Sequence, residues 1–403
     1  MSPDLGEGRM TVHHELPTTT DFSTLAGEHH PAITIYAATS PVVSERERAE
    51  VAVKSAFDEA IDRIRIDGSE AGEVDALKSE RDAVLADRTL WAGLSRSLAI
   101  FVAPGFTDVY VLPNRLDDAV HVGAHFVLGQ LLRAPSQDQE AFAVTLSSNE
   151  WALWHALPTA RAEQMPLDPS LPRNLDDAAN RVPGDVGQRR RGGHGDRGMN
   201  EDDRRPEIHD IYAKRVADAV WHELQEHDPE ARVPLFVFAA EPLLSSFLDR
   251  AHNGRRVVGV QGGADRLGAA EIDAQLRQQL AQLNVNEAKT ALTGLADGSA
   301  GRVERDLAAI GRLAADGAVE RLWFDFTTSV NGTLDHESGA IEFATDHGNG
   351  ETLSDGRHAG DLLPQLAMLV IARGGKVVTV RGDDLETAVW SGPAMAELRF
   401  ALA

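Results

Sequence analysis

The sequence predicts an α/β protein built from layered domains. Segments with helical and strand-type periodicity alternate along most of the 403 residues, and this alternation is typical of helices layered on sheets. In the helical segments apolar residues recur at three- and four-residue steps, as at Leu307, Ile310 and Leu313. Strand-type segments at residues 97–102 and 107–112 flank a Pro-Gly turn and predict a β-hairpin. The length predicts two or three domains.

The predicted elements group into a flexible tail (residues 1–28) and three domains (residues 29–138, 139–272 and 273–403). The predicted strands cover residues 32–36, 97–102, 107–112, 141–146, 152–157, 234–239, 257–260, 319–326 and 376–380, with an edge strand at 396–401. The predicted helices cover residues 44–66, 72–85, 206–225, 242–250, 268–295, 302–316 and 362–373. Residues 120–132 are predicted to form a strand followed by a helix. Residues 327–357 are predicted to be irregular.

A glycine-rich, basic loop is predicted within the middle domain, at residues 187–205. The loop has six arginines and four carboxylates, a local net charge of +2 in a chain whose net charge is −24. Its glycines allow a partner to approach the backbone closely, and an amphipathic helix is predicted to begin directly after it, at Pro206. The alternative is a disordered surface insertion. The residues predicted to bind RNA are Arg189, Arg190, Arg191, Gly192, Gly193, Arg197, Arg204 and Arg205.

Composition excludes several classes of site. The chain has no cysteine, which excludes disulfides and thiolate metal ligands. No apolar run approaches the roughly 18 residues of a membrane span, and residues 1–22 lack the pattern of a signal peptide, so we expect a soluble, cytoplasmic protein. A net charge of −24 repels nucleic acid on average. Any RNA contact must therefore be focal, and the loop at 187–205 is its predicted place.

Other motifs for catalysis, metals and cofactors are weak. Residues 261–268 lack the Gly-Lys-Ser/Thr ending of a phosphate loop and the spacing of a dinucleotide fingerprint, and they favour a tight turn. The His-His pairs at 13–14 and 29–30 have no third ligand at a useful spacing. No Gly-x-Ser-x-Gly elbow of a serine hydrolase occurs. We therefore predict no metal and no cofactor.

The most specific motif is Arg191-Gly192-Gly193-His194 followed by a helix with the sequence Ile-His-Asp-Ile-Tyr-Ala-Lys-Arg-Val-Ala at residues 208–217. This pair resembles the basic Gly-Gly-Gln loop and the following helix of the archaeo-eukaryotic class-I release factor and Pelota family. The chain is most similar to the bacterial branch of that family, the baeRF proteins. Weaker matches extend the resemblance over nearly the whole chain, at residues 97–102, 123–132, 313–320, 374–378 and 397–400.

The resemblance implies three layered domains: an N-terminal α/β domain, a ribonuclease-H-like middle domain and a C-terminal domain like kink-turn-RNA-binding proteins. It implies the ribosome as partner, through rRNA and P-site tRNA, together with a translational GTPase. In release factors the glycines let the loop enter the peptidyl-transferase centre, and the glutamine positions the hydrolytic water. Here His194 replaces that glutamine, and the Asn-Ile-Lys-Ser element that reads stop codons is missing. Release that depends on a stop codon is therefore not expected.

Three functions stay open at this point. The first is a factor that binds the A site of an empty or stalled ribosome, for which the family's hibernation factor Balon is the example. The second is a peptidyl-tRNA hydrolase in which His194 is catalytic, since an imidazole can act as a base near neutral pH. The third is a stand-alone cytoplasmic protein that has lost ribosome binding, which the acidity of the chain favours. Loss of the glutamine favours binding over hydrolysis.

Overall fold

Helices and strands alternate in the computed structural model, and the predicted α/β class is confirmed. The chain folds into two compact units. The first combines residues 1–139 with residues 280–403, and the second consists of residues 140–279. The structure describes residues 10–180, 201–250, 254–263, 267–298, 301–344, 353, 359–385 and 390–401.

The N-terminal part of the first unit is a five-stranded sheet with helices. Its elements are β1 (Thr11–His13), α1 (Thr19–Leu25), β2 (Glu28–Ala38), α2 (Arg46–Ile66), α3 (Ala71–Ala86), α4 (Arg88–Ala92), β3 (Ser97–Ala103), β4 (Phe106–Leu112), β5 (Ala119–His125) and α5 (Arg133–Ser136). The strand order is β1-β4-β3-β2-β5. Successive side chains of a strand point to opposite faces. Ile33 and Ile35 accordingly lie in a core with residues of α2 and α3, whereas Tyr36 belongs to a core on the other face.

The segment before β2 is structured, so the predicted flexible tail is wrong for residues 10–28. A capping box begins α1: the Thr18 hydroxyl accepts the Asp21 N–H, and the Asp21 carboxylate accepts the Thr18 N–H. Phe22 and Leu25, one helical turn apart, are buried in the core of the first unit. Two buried apolar side chains and a cap therefore fix a helix that the polar composition of this segment conceals.

The helix predicted at the end of residues 120–132 begins later than expected. Residues 126–128 are irregular, residues 129–132 form turns, and α5 begins only at Arg133. Phe126, Leu128 and Leu131 are buried in the core of the first unit without helical backbone. Burial thus explains the apolar spacing that resembles a helical pattern.

The second unit contains a sheet of five strands in the order β10-β9-β6-β7-β8. Its elements are β6 (Ala141–Leu146), β7 (Trp151–Ala156), β8 (Glu163–Gln164), α6 (Leu175–Asn180), α7 (Glu201–His227), β9 (Leu235–Ala239), α8 (Leu243–Leu248) and β10 (Val257–Gln261), followed by α9 (Ala269–Gly298), of which the residues up to 279 belong to this unit. The strands β6, β7 and β8 form an antiparallel meander, and β9 and β10 are added in parallel on the other side of β6.

The C-terminal part of the first unit contains two sheets. Its elements are β11 (Val303–Glu304), α10 (Leu307–Ala315), β12 (Val319–Asp325), β13 (Asn331–Leu334), β14 (Ile341–Phe343), β15 (Gly360–Asp361), α11 (Leu362–Ala372), β16 (Lys376–Val380) and β17 (Ala394–Leu398). The strand orders are β11-β17-β12-β16 and β14-β13-β15. Phe324 of β12 and Leu366 of α11 lie in the same core as Tyr36 and Phe101 of the N-terminal sheet. The two terminal parts of the chain therefore share one hydrophobic core.

Three predictions for this part of the chain are wrong in detail. The helix predicted from residue 302 begins at Leu307, because residues 303–304 pair with β17 instead. The stretch predicted to be irregular, residues 327–357, contains the β13–β14 hairpin. The predicted edge strand is β17, which lies between β11 and β12 inside the sheet. The strands β11 and β17 are set by pairing between residues distant in sequence, which local periodicity does not encode.

Candidate nucleic-acid interface

The helix α7, which follows the predicted RNA-binding loop, is anchored by one buried face. Apolar side chains at three- and four-residue steps pack in the core of the second unit with strands β6 and β9. Helix α7 begins at Glu201, earlier than the predicted start at Pro206. The buried residues of α7 are Tyr212, Ala213, Val216, Ala217, Ala219, Val220 and Leu224.

The chain segment that leads into the loop is fixed in the same unit. The Trp151 indole N–H donates to the carbonyl of Pro172 at 2.8 Å, in a buried position. The Leu175 N–H at the start of α6 donates to the Ser148 carbonyl at 3.0 Å. Helix α6 also contacts α7. The described segment before the loop is therefore tied by hydrogen bonds to residues 148–151, and its helix α6 lies against α7, which follows.

Most of the predicted site residues lie outside the described residues. These are Arg189, Arg190, Arg191, Gly192, Gly193, His194 and Arg197. Arg204 and Arg205 fall within the first turns of α7, in the part of the helix whose side chains the structure does not describe. Their roles in RNA binding, and that of His194 in catalysis, stay predictions.

Ion pairs neutralise both an exposed cation and a buried cation of the second unit. On α7, Lys214 pairs with Asp210 at 2.5 Å across one helical turn. Arg255 donates to Asp228 Oδ2 at 2.7 Å. Burial raises the pKa of Asp228, but the Val233 N–H, the Arg255 guanidinium and the Arg232 N–H outweigh burial, and the pKa is lowered overall. Cations engaged in this way are less available to a phosphate backbone, which agrees with a focal RNA contact.

A buried ion pair fixes the connection between β7 and β8. Asp273 and Arg277 lie one turn apart on α9, with side chains that are 0% and 3% exposed, and Arg277 Nε donates to Asp273 Oδ1 at 3.1 Å. The same carboxylate oxygen accepts the Ala162 N–H at 2.8 Å. Arg277 Nη2 donates to the carbonyls of Leu157 and Ala160 at 2.9 and 2.7 Å. Because both side chains are buried, each of these contacts matters to stability. Sequence reasoning missed this pair, for which the i, i+4 spacing of opposite charges is the available signal.

A cavity of about 190 Å³ in the first unit brings together titratable groups that the sequence analysis did not connect. Its lining includes His125, His336 and Asp361. Burial raises the pKa of Asp361 to about 6, against the lowering effect of the N–H groups of Leu363 and Val330. A carboxyl group with this pKa is suited to acid–base chemistry. Asp361 Oδ1, however, accepts both N–H groups and caps α11, so its observed contacts are structural.

The described residues provide neither a cluster of metal ligands nor a helix suited to a membrane. No group of three or more His, Cys, Asp or Glu side chains in that part of the chain could hold a metal ion. None of the helices described is long and apolar enough to cross a membrane.

No protein-family model and no curated protein matches the chain. Solved structures that are similar to it include an archaeal Pelota bound to the ribosome with ABCE1, at 13% identity over 77% of this chain and 74% of that chain, with a TM-score of 0.36. Pelota of Archaeoglobus fulgidus is 16% identical over 75% and 79%, with a TM-score of 0.33. The archaeal translation termination factor aRF1 is 14% identical over 94% and 96%, with a TM-score of 0.23. Membership of the bacterial baeRF branch stays a prediction.

Proposed function

We propose that the chain is a ribosome-associated translation factor of the release factor and Pelota class. It binds the A site of an idle or stalled ribosome as a hibernation or rescue factor, with the loop at 187–205 near the end of the P-site tRNA. A translational GTPase is its second partner. The observation that carries the proposal is helix α7, which begins at Glu201, shortly after the Gly-Gly-His motif, and packs its buried face in one core with strands β6 and β9.

The physical support is the contrast between the loop and the rest of the chain. Outside residues 187–205 the net charge is −26, which repels a phosphate backbone. Arginines in the loop supply the local positive charge, and the glycines between them keep the backbone accessible. Helix α7 is fixed because one of its faces is buried in the core of the second unit. A loop attached to a fixed helix loses less conformational entropy when it binds a partner.

We expect the protein to sediment with ribosomes and the joint replacement of Arg189, Arg190 and Arg191 by alanine to weaken this binding. Each arginine that contacts a phosphate releases counterions. The slope of the logarithm of the binding constant against the logarithm of the salt concentration then becomes steeper by about 0.7–0.9. The triple variant should therefore have a slope that is flatter by up to about two to three units. The measurement is co-sedimentation with purified ribosomes between about 50 and about 200 mM salt.

A matched control removes three positive charges from the described surface of the same unit, at Arg173, Arg232 and Arg250. These side chains lie outside the loop, and we expect this control to keep the slope of the wild-type chain. If the loop variant pelleted at the wild-type level and with the wild-type slope, the loop would not be the contact surface.

We expect no peptide release in response to a stop codon in a reconstituted translation system, because His194 replaces the glutamine and no codon-reading element is present. His194→Ala tests hydrolysis as the alternative. A binding factor keeps its ribosome affinity in this variant, since the glycines and arginines make the approach. A peptidyl-tRNA hydrolase loses about 10²–10⁴-fold in rate when its general base is removed. Stop-dependent release by the wild-type chain would contradict the proposal.

A further inference from the structure

A basic pocket lies in the first unit, where three segments distant in sequence meet. Arg133 begins α5, Phe326 follows β12 and Arg381 follows β16. Both guanidinium groups lie over the Phe326 ring, with their central carbons 4.1 Å (Arg133) and 5.2 Å (Arg381) from its centroid. Guanidinium groups stack on aromatic rings through cation–π attraction. The stack therefore holds two like charges close together.

The carboxylates around this stack do not balance its charge. Arg381 Nη2 donates to Asp117 Oδ2, and Arg133 Nη1 lies 3.9 Å from the same oxygen. One carboxylate thus faces two guanidinium groups. A third cation, Lys289 of α9, lines the same cavity, and no ion pair joins it to another described residue. Asp384 is the acidic residue of the lining.

Arg133 has donors that the described part of the chain leaves unmatched. Its Nε and Nη1 atoms are buried and have no hydrogen-bond acceptor among the described residues. Burial lowers the pKa of Arg133 to about 10, and Arg381 adds to this effect against the opposing charge of Asp117. A buried charge is favourable only when it is paired and hydrogen-bonded. The site is therefore short of an anionic acceptor.

The cavity beside these groups has a volume of about 70 Å³. A single water molecule needs a cavity of about 10–15 Å³. The cavity therefore has room for a small tetrahedral anion. Gln137 and Thr379 also line it and supply neutral hydrogen-bonding groups. Arginine is well suited to phosphate because its planar fork matches two phosphate oxygens.

We propose that this cavity binds a phosphate oxyanion, with Arg133, Arg381 and Lys289 as its cationic ligands. The oxyanion belongs either to a free phosphate ester or to the backbone of an RNA strand, which share this chemistry. The proposal does not rest on the function proposed above, because the site and the loop at 187–205 belong to different units and each is tested with its own variants.

Two probes separate the two sources, and both are measured with the full chain. Inorganic phosphate, titrated by calorimetry, represents the free ester. A single-stranded RNA of uridylates without terminal phosphates, measured by fluorescence anisotropy, represents the backbone. Binding of either probe that depends on the pocket cations supports the proposal and identifies the source.

Arg381→Gln should weaken binding about tenfold or more, since a hydrogen bond to a charged group is lost, and Lys289→Gln should also weaken it. Asp117→Asn should tighten binding, because it removes the carboxylate that competes for both arginines while its amide oxygen still accepts from Arg381. A gain of affinity cannot arise from misfolding.

Asp118→Asn is the matched control. It makes the same charge change at the next residue, whose carboxylate accepts the Ala38 N–H instead, and its affinity should stay near that of the wild-type chain. The proposal is overturned if the wild-type chain binds neither probe at about 10 mM, or if the Arg381 and Lys289 variants bind as tightly as the wild type.

Discussion

Replacing Asp273 with alanine is expected to lower the free energy of unfolding of the second unit by about 3–5 kcal/mol. The Asp273 side chain is fully buried and pairs with Arg277, whose side chain is 3% exposed. Without the carboxylate, the guanidinium of Arg277 stays buried with no counter-charge in that pair, and the Ala162 N–H loses its acceptor. Removing one partner of a buried pair costs more than the pair contributes, because desolvation of the other charge is no longer offset.

Chemical denaturation followed by tryptophan fluorescence measures this loss, and Trp151, Trp154 and Trp221 report on the second unit. Amide hydrogen exchange in β6 and β9 assigns the loss to that unit. Asp210→Ala is the matched control: it removes an aspartate from another i, i+4 pair in the same unit, but its side chain is 41% exposed. We expect the control to cost less than about 0.5 kcal/mol. Equal losses in the two variants would show that the buried pair does not fix the β7–β8 connection.

The parts of the fold that sequence analysis predicts well are those in which local spacing determines the structure. The hairpin of β3 and β4 follows from two apolar segments around a turn, and α7 follows from apolar residues at helical steps. The predicted end of the helix at residue 316 is confirmed within one residue: Gly317 follows α10 with a φ of 70°, and the Ala318 N–H donates to the Leu313 carbonyl. Each of these features depends on contacts between residues near in sequence.

The features that sequence analysis misses depend on residues distant in sequence. The stack of Arg133, Phe326 and Arg381 requires three segments distant in sequence to meet, and the spacing of these residues along the chain does not indicate it. The hairpin of β13 and β14 depends on Gly311 of α10: a Cβ there would lie 2.4 Å from the Gly339 carbonyl oxygen. The spacing of apolar residues along the sequence does not indicate where two backbones approach each other closely. The Gly-Gly-His loop is the reverse case, since it is predicted from sequence alone and lies outside the described residues.

Asp361→Asn is expected to stabilise the first unit above pH 7. In the folded chain the pKa of Asp361 is raised to about 6 by burial, whereas the unfolded value is about 3.9. The folded state therefore holds the proton more tightly, and the free energy of unfolding falls as the pH rises from about 4 to about 6. A shift of two pKa units corresponds to at most about 3 kcal/mol. Asparagine caps a helix about as well as aspartate does, and its Oδ1 can accept the same N–H groups of Leu363 and Val330.

Urea denaturation of the wild-type protein and of the Asp361→Asn variant, at a series of pH values from about 4 to about 8, tests this expectation. The stability difference in favour of Asp361→Asn should be small at the acid end, grow through pH 6 and then stay constant. Asp306→Asn is the control, because Asp306 caps α10 through the Ala309 N–H at 2.8 Å from an exposed position. We expect that control to change stability by less than about 0.5 kcal/mol. A variant at Asp361 that is less stable than the wild type at pH 8, or a difference that does not change with pH, would mean that the ionised carboxylate is well accommodated as the cap of α11.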